Sequence, residues 1–203
     1  MVLVQPFDCT HGLRPARPQV FVYNQGVKDK KLFIGYIKPE KVERINFIIR
    51  EANSRDIPQV IKLCLDTFRE VNFIENGKWY DIRKMENLVA VRDDKVLGFA
   101  SWKKEKDRLF LLVILTDPEY YRQGIGTTLL NKIKEIAKRL NFKKIFVPIS
   151  NDDLVSYVFY HKNGFRLVGI DIGLPKKRHG KEVAGFWRLP CRDEFYLEHK
   201  TTK

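Results

Sequence analysis

Long hydrophobic segments are absent from this 203-residue sequence. No apolar run approaches the roughly 18 residues that a membrane-spanning helix requires. The first residues, MVLVQPFDCTHG, also lack the layout of a secretory signal peptide, with its basic start and continuous apolar stretch. We therefore expect a soluble, cytoplasmic protein without a membrane partner.

Cysteine is scarce as well. Three cysteines, Cys9, Cys64 and Cys191, lie far apart, and none forms a C-x-x-C pair. An odd number of widely spaced cysteines does not support a disulfide framework. Cys9 and His11 could begin a metal site, but no second ligand pair follows at a typical spacing. We therefore expect neither a disulfide scaffold nor a bound metal.

Acidic residues are outnumbered by basic ones. The chain has 38 Lys and Arg but 25 Asp and Glu, which gives a net charge of +13 and a pI near 9.6. Such an excess favours anionic partners, namely nucleic acid, acidic proteins or a phosphate-bearing cofactor. A solubility surface rich in lysine and glutamate, as in thermophilic proteins, would be an equally simple explanation. Charge alone does not choose between these explanations.

The first 42 residues differ in pattern from the rest. After a start that contains proline, Gln19–Asn24 and Lys31–Ile37 are β-like runs joined by the turn-like QGVKDK. They predict an N-terminal β-rich extension over residues 1–42 that contains a β-hairpin. Residues 43–203 have enough apolar residues for a packed core and predict one main domain.

Strand-like and helix-like segments alternate through residues 43–203, which predicts an α/β domain. Strands are expected at residues 44–52, 88–91, 95–102, 108–115, 143–149, 165–170 and 183–190. Helices are expected at residues 57–68, 129–140 and 153–162, the first with Ser54 and Asp56 as candidate caps. Residues 72–84 are expected to be helical or looped. The basic segment Pro175–Glu182 is expected to be a loop between the last two strands.

A glycine-containing turn stands between the longest apolar run and the second helix. Its sequence, YYRQGIGTTLL, runs from Tyr120 to Leu130. Backbone N–H groups at a helix start have no partners inside the helix and favour anions. Gly124 and Gly126 allow the backbone to approach a diphosphate closely, and Arg122 adds a charged donor. Neither a dinucleotide-binding fingerprint nor a P-loop fits these residues, and a plain structural turn is the alternative to a phosphate site.

A second motif follows about thirty residues later, in the segment NDDLVSYVFYHKNGFRLVG from Asn151 to Gly169. With both motifs the chain resembles the GCN5-related N-acetyltransferase (GNAT) superfamily, from about Ile45 to Pro190. Members carry a Q/R-x-x-G-x-G/A turn after a central strand, and many have an N-D-N…F-Y-x-x-x-G-F segment. One departure is Tyr121, which stands where the family prefers Arg or Gln.

The resemblance implies a GNAT acyltransferase fold, with a mixed central sheet flanked by helices, and acetyl-CoA as co-substrate. It places the diphosphate at the glycine turn and the thioester along the central strand, whose N–H groups can stabilise a developing oxyanion. Asn151 would contact the CoA arm, although a strand-end or capping role fits it equally well. The residues implied to bind acetyl-CoA are Val113, Leu115, Thr116, Arg122, Gln123, Gly124, Ile125, Gly126, Thr127 and Asn151.

The resemblance also implies direct attack of an amine on acetyl-CoA. Tyr160 matches the family's general acid, although an aromatic ring packed on the helix face is the plainer interpretation. A lysine-like amine with a pKa of about 10.4 is neutral in only about one molecule in 2,500 at pH 7, so a base or water chain must assist. Glu119, beside the turn, is the candidate base, with Glu105 and Glu75 as alternatives. Some members of the family use water alone.

The acceptor implied by the resemblance is an amine on a protein, an RNA such as tRNA, or a small molecule. In the family's layout the loop between the last two strands borders the acceptor groove. There Lys176, Lys177 and Arg178 would attract an acidic protein or RNA and repel a polyamine, unless they merely form a solvated loop. The alternative function is a nucleic-acid-binding protein whose GNAT fold is catalytically idle. Transfer of a different acyl group is a further possibility.

Overall fold

The computed structural model describes residues 45–75, 78–186 and 189–201. The predicted extension over residues 1–42, its hairpin and the boundary at residue 43 lie outside these ranges. The helices are α1 (Ile57–Phe68), α2 (Ile125–Arg139), α3 (Leu154–Lys162) and α4 (Leu174–His179). The strands are β1 (Ile48–Glu51), β2 (Asn72–Glu75), β3 (Lys78–Asp81), β4 (Glu86–Arg92), β5 (Lys95–Glu105), β6 (Arg108–Thr116), β7 (Lys144–Ser150), β8 (Arg166–Ile172), β9 (Val183–Ala184), β10 (Pro190–Cys191) and β11 (Asp193–Lys200).

Seven of these strands form one mixed sheet in the order β1-β4-β5-β6-β7-β11-β8. Neighbouring strands are antiparallel except β6 and β7, which are parallel and are joined through α2. Strands β2 and β3, and strands β9 and β10, form two small antiparallel pairs outside the sheet. The predicted architecture, a mixed central sheet flanked by helices, is confirmed.

The two faces of the sheet carry separate hydrophobic cores. Helix α2 covers one face, and its apolar residues recur every three or four positions as a stripe that is buried there. Each fully buried leucine or isoleucine of this stripe contributes about 1.5–3 kcal/mol. Helix α1 covers the other face, where Val60 and Cys64 share a core with Phe99 of β5. Among the described helices, none combines the length and the apolarity that spanning a bilayer would require.

Strands β6 and β7 pair over only three residues. Arg108, Leu109 and Phe110 oppose residues 144–146, after which β6 continues to Thr116 without a partner in β7. A bulge accompanies this separation, because Leu112 is skipped where the register of β5 and β6 shifts. We call the resulting opening between the two strands the β6–β7 splay.

The segment of residues 72–84 was wrongly predicted as helical or looped. It forms the hairpin β2–β3, followed by a single 3-10 turn at Ile82–Lys84. Phe73 and Tyr80 oppose each other in the hairpin, and Tyr80 is buried against Phe110 with ring centroids 4.8 Å apart. Burial of this aromatic ring on the sheet stabilises the hairpin. The Asn-Gly dipeptide in the sequence was a hairpin signal.

The C-terminal segment also differs from the prediction. The expected loop Pro175–Glu182 contains helix α4, and the last strand of the sheet is β11 rather than residues 183–190. Strand β11 inserts between β7 and β8, with Leu197 in the α2-side core and Tyr196 stacked on Phe146 of the opposite face. No strand was predicted over residues 193–200, because acidic residues interrupt the apolar positions of the sequence DEFYLEHK.

Asp56 stands at the start of α1, as predicted, but its carboxylate does not cap the helix. It accepts hydrogen bonds from both terminal nitrogens of Arg50, at 2.5 and 2.9 Å, and from the backbone N–H of Asn53 at 2.7 Å. The hydrogen bond from Arg50 lowers the pKa of Asp56. Its stabilisation is therefore complete above the ordinary carboxyl pKa near 4 and is lost as the pH falls through the lower folded-state pKa.

Replacing this buried carboxylate tests how much it contributes to the stability of the fold. Asp56→Ala is expected to lower the free energy of unfolding by about 2–3 kcal/mol, because Arg50 and the N–H of Asn53 lose their acceptor. Urea denaturation at neutral pH measures the loss. Asp66→Ala is the matched control, since it breaks an exposed ion pair with Lys62 and is expected to cost less than about 1 kcal/mol. Equal losses in the two variants would contradict the assignment.

Candidate active site

The open end of the β6–β7 splay is bounded by the start of helix α2. Gly124 precedes the helix in a left-handed conformation, and no side chain caps it. Within the described residues, the backbone N–H groups of Ile125, Gly126 and Thr127 meet no protein acceptor. Three free amides at the positive end of a helix dipole form an anion site.

The turn before α2 keeps this helix start open. Gly124 has φ of 85°, and a Cβ atom placed there would meet nothing within 4 Å. A Cβ atom at Gly126 would make ordinary contacts, 3.7 Å from the hydroxyl of Thr116 and 3.8 Å from the ring of Phe159. The neighbouring Arg122 is exposed. The turn at Gly124 is therefore open, and a cationic residue lies next to it.

The remaining residues predicted to bind acetyl-CoA do not all present a free group to the splay. The side chains of Val113 and Leu115 belong to the α1-side core, and that of Ile125, the first residue of α2, is buried in the α2-side core, so none of these three side chains faces a ligand. The carboxamide oxygen of Gln123 accepts the backbone N–H of Ile45 at 3.4 Å. Thr127 is exposed on the first turn of α2. All ten predicted residues except Asn151 lie on β6 or on the turn and helix start that follow it.

Asn151 follows β7 and fastens the chain that enters β11. Its side-chain oxygen accepts the N–H groups of Arg192 and Asp193 at 2.8 and 3.0 Å, and its nitrogen donates to the carbonyl of Pro190 at 3.2 Å. These three bonds leave one amide proton for any other contact. The geometry fits the structural role that the sequence also allowed.

Tyr160 is buried in the core beneath α3, with 4% of its surface exposed. Its ring lies between those of Phe159 and Phe165, at centroid distances of 5.2 and 5.1 Å. Burial, reinforced by the nearby Asp153 carboxylate, raises the pKa of Tyr160, so the hydroxyl keeps its proton at neutral and alkaline pH. Among the described residues no hydrogen bond occupies that hydroxyl.

Two of the three candidate bases lie in settings that do not suit a base. The side chain of Glu119 is 74% exposed and pairs with Lys95 at 3.2 Å. Glu105 lies at the paired end of β6, away from the splay, where it accepts from Tyr80 and from Arg108. Burial penalises the charge of Glu105, but these two hydrogen bonds outweigh burial and lower its pKa.

Glu75 has a different environment. Its carboxylate lies 3.1 Å from one terminal nitrogen of Arg178, and the other terminal nitrogen lies 2.7 Å from the carboxylate of Glu194. All three side chains are at most 15% exposed. Burial and the Glu194 carboxylate raise the pKa of Glu75 to about 8, against the opposing effect of Arg178. A carboxylate with a pKa near the working pH is a more effective base than an ordinary one.

The basic segment predicted as a free loop is largely neutralised. Arg178 is buried between the two glutamates, and Lys176 pairs with Glu182 at 3.1 Å. Among the described residues, Lys177 alone of the three predicted cations has no ion pair. The segment is therefore a weaker anion-binding surface than its sequence indicates.

Glu194 was missed because strand β11 was not predicted, so its neighbours in space could not be inferred. The available signal was the period-two pattern of DEFYLEHK. Phe195 and Leu197 are apolar and share one face of the strand, so Glu194, next to Phe195, falls on the other face. Glu194 is stable in its buried position because Arg178, which is distant in sequence, donates a hydrogen bond to its carboxylate.

A profile of the acetyltransferase (GNAT) family matches residues 55–165, more than half of the 203 residues. The chain belongs to the acetyltransferase (GNAT) family. As a member it is an acetyl-CoA-dependent N-acetyltransferase, and the predicted co-substrate and enzyme class are confirmed.

The chain is similar to individual proteins and to solved structures. The chain is 32% identical over 123 residues to the uncharacterized protein YxbD of Bacillus subtilis, over 58% of this chain and 76% of that protein. It is 31% identical over 84 residues to a spermidine N(1)-acetyltransferase of Thermoplasma acidophilum, over 41% and 52% of the two chains. Its fold is similar to that of a GNAT family acetyltransferase from Elizabethkingia anophelis solved with acetyl-CoA bound, with a TM-score of 0.59, 17% identity and coverage of 77% and 99%.

The role assigned to Asn151 can be measured. Asn151→Ala is expected to lower the free energy of unfolding by about 1–2 kcal/mol, because two backbone N–H groups before β11 lose their acceptor. Asn151→Asp keeps an acceptor at the same position and is the control. If Asn151→Ala were as stable as the wild-type chain in urea, the hydrogen bonds of the Asn151 side chain would not contribute to the free energy of unfolding.

Proposed function

We propose that this acetyltransferase acetylates an amine carried by a protein or a tRNA. The observation that most supports acetyl transfer is the uncapped start of α2 at the open end of the β6–β7 splay, and the choice of acceptor rests on charge. The acceptor named for the Thermoplasma relative, spermidine, is a polycation. A chain with a net charge of +13 disfavours a free polycation and favours an amine whose surroundings are anionic.

The residues of the splay fit a CoA-type molecule. The free amides of residues 125–127, with Arg122 beside them, would hold its diphosphate. The edge of β6 over Val113–Thr116 has no partner in β7 and would bind the amide-containing arm. When bound there, acetyl-CoA supplies a thioester carbonyl that a neutral amine attacks, with release of the thiol.

Two groups of the chain would assist that reaction. Along Val113–Thr116, the N–H groups that do not point to β5 can stabilise negative charge on an oxygen, because they are fixed in place before the reaction begins. The hydroxyl of Tyr160 keeps its proton because its pKa is raised, and it can donate that proton to the leaving sulfur. A thiol has a pKa of about 8.5, so the released sulfur is mostly protonated at neutral pH and takes up a proton as it leaves.

The phosphate site is tested by a pair of glycine variants. Gly124→Asp is expected to weaken CoA binding at least about tenfold in calorimetry, because a carboxylate at the free helix start competes with the diphosphate for the amides. Gly180→Asp is the control, since Gly180 has φ of 69° and its Cβ position is equally open. Both variants carry the same backbone strain, so equal weakening, or no binding by the wild-type chain, would refute the site.

Catalysis is tested by following thiol release from acetyl-CoA with a panel of acceptors: a peptide with a free N-terminus, a lysine-containing peptide, a tRNA and spermidine. We expect turnover with a peptide or the tRNA in preference to spermidine. Tyr160→Phe is expected to lower kcat at least about tenfold, because it removes the proton donor, and to leave CoA affinity within about threefold.

The control for this variant is Tyr157→Phe, which removes a hydroxyl from the same helix outside the buried core and is expected to keep the wild-type rate. Absence of acetylation across the whole panel would refute the proposed function. Wild-type turnover by Tyr160→Phe would refute the role of its hydroxyl alone.

A further inference from the structure

Three elements that are distant in sequence meet at one buried ion-pair cluster. Glu75 ends strand β2, Arg178 lies in helix α4, and Glu194 lies in strand β11. The guanidinium of Arg178 donates to both carboxylates, with nitrogen–oxygen distances from 2.7 to 3.2 Å. We call these three residues the Glu75 cluster.

The Glu75 cluster lies on the face of the sheet opposite α2. Leu197 of β11 belongs to the α2-side core, whereas Tyr196 stacks on Phe146 of the other face at 5.4 Å. Glu194 is two residues from Tyr196, and successive side chains of a strand alternate between faces, so Glu194 shares the face of Tyr196.

The cluster also lies beside the splay. Glu194 is in register with Ser150, the last residue of β7, beyond the point where β6 and β7 stop pairing. The hairpin that carries Glu75 reaches across from β6, where Tyr80 is stacked on Phe110. Glu75 is therefore held over the open end of the parallel pair, on the side that α2 does not cover.

The charges of the cluster do not balance. Two ionised carboxylates facing one guanidinium would leave a net negative charge in a buried position, which is costly unless one carboxylate takes a proton. Among the described residues, other cations lie near the cluster but form no ion pair with its carboxylates: Lys78 is opposite Glu75 in the hairpin, and Arg108 lies over the ring of Phe146. Of the nearby tyrosines, Tyr80 is bonded to Glu105, and the hydroxyl of Tyr196 lies 3.3 Å from Asp171. The raised pKa of Glu75 follows from this imbalance.

One donor of the cluster is also unused. The Nε atom of Arg178 is buried and has no acceptor among the described residues. A network that served only to tie the three elements together would be expected to satisfy each buried donor.

We infer that Glu75, positioned by Arg178 and Glu194, accepts the proton of the acceptor amine. This inference rests on the proposed function and identifies its base. An N–H bond of the ammonium breaks, an O–H bond forms on the Glu75 carboxylate, and the amine nitrogen keeps the electron pair for attack. The second proton that the nitrogen loses ends on the released thiol, and Glu75 returns its proton to solvent.

The environment of Glu75 makes this transfer less unfavourable than an ordinary glutamate would. An ammonium with a pKa of about 10.4 gives its proton to a carboxylate with a pKa of about 4.3 with an equilibrium constant near one in a million. Each unit by which the carboxyl pKa rises improves that constant about tenfold. Arg178 limits the rise, so that Glu75 is still ionised at mildly alkaline pH.

The first test does not depend on activity. Isotope-edited NMR of the glutamate carboxyl carbons, assigned by comparison with Glu75→Gln, reports the titration of Glu75 in the free protein. The pKa of Glu75 is expected well above the ordinary carboxyl range. Glu194→Gln is expected to lower it by removing a negative neighbour, and Arg178→Met is expected to raise it further by removing the cation. Titration of Glu75 in the ordinary range would overturn the inference.

The second test uses the best acceptor of the panel. The specificity constant kcat/KM is expected to rise with pH through the pKa of Glu75, because only the ionised carboxylate can accept a proton. Glu75→Gln is expected to lower kcat/KM at least about 100-fold and to abolish that inflection. Glu194→Gln is expected to move the inflection to lower pH, which a merely structural role would not do.

Two controls separate the possible failures. Glu182→Gln removes an exposed carboxylate from the neighbouring segment and is expected to keep the wild-type profile. CoA binding by Glu75→Gln, measured by calorimetry, shows that the variant is folded. Wild-type kcat/KM in Glu75→Gln, with CoA binding intact, would overturn the inference while leaving the acetyltransferase function in place. Loss of CoA binding by the wild-type chain would instead refute the proposed function.

Discussion

The separation of β6 from β7 is the constraint on which the rest of the structure depends. Beyond Phe110 and Phe146 the two strands stay in the sheet but no longer pair with each other. Backbone N–H and C=O groups left without partners inside a protein raise its free energy. A ligand arm that supplies those hydrogen bonds is therefore favoured in the splay. The free amides of α2 lie at its open end, so one molecule can satisfy both.

The two faces of the sheet carry different groups of the candidate site. On one face α2 and Tyr160 share one hydrophobic core. On the other face the hairpin β2–β3 and helix α4 meet over β11 and hold Glu75 and Arg178. Under the proposed mechanism, the groups assigned to the thioester and the base assigned to the amine would approach the splay from opposite sides. It also shows why the net charge is a poor guide to the site: the chain is strongly basic, yet the buried cluster has more acids than bases.

Local patterns were enough to predict part of this protein. The apolar stripe of α2 and the two glycines before it are determined by neighbours in sequence, because a helix and its start involve contacts within a few residues. One family motif lies on the glycine-containing turn and the other runs from Asn151 through α3, and fold, co-substrate and enzyme class followed from the two together. The hairpin β2–β3 and strand β11 were missed because each is stabilised by packing on the sheet, as Tyr80 on Phe110 illustrates.

The sequence by itself determined most strands and helices between residues 88 and 170, the glycine-containing turn before α2 and the buried stripe, since these depend on short-range geometry and on hydrophobic periodicity. The tertiary structure alone decided which acids and bases meet. Arg178 read as a member of a solvated loop, but folding places it against Glu75, 103 residues away, and against Glu194. A carboxylate acquires a shifted pKa only from burial and from charges nearby in space. Neither is visible along the chain.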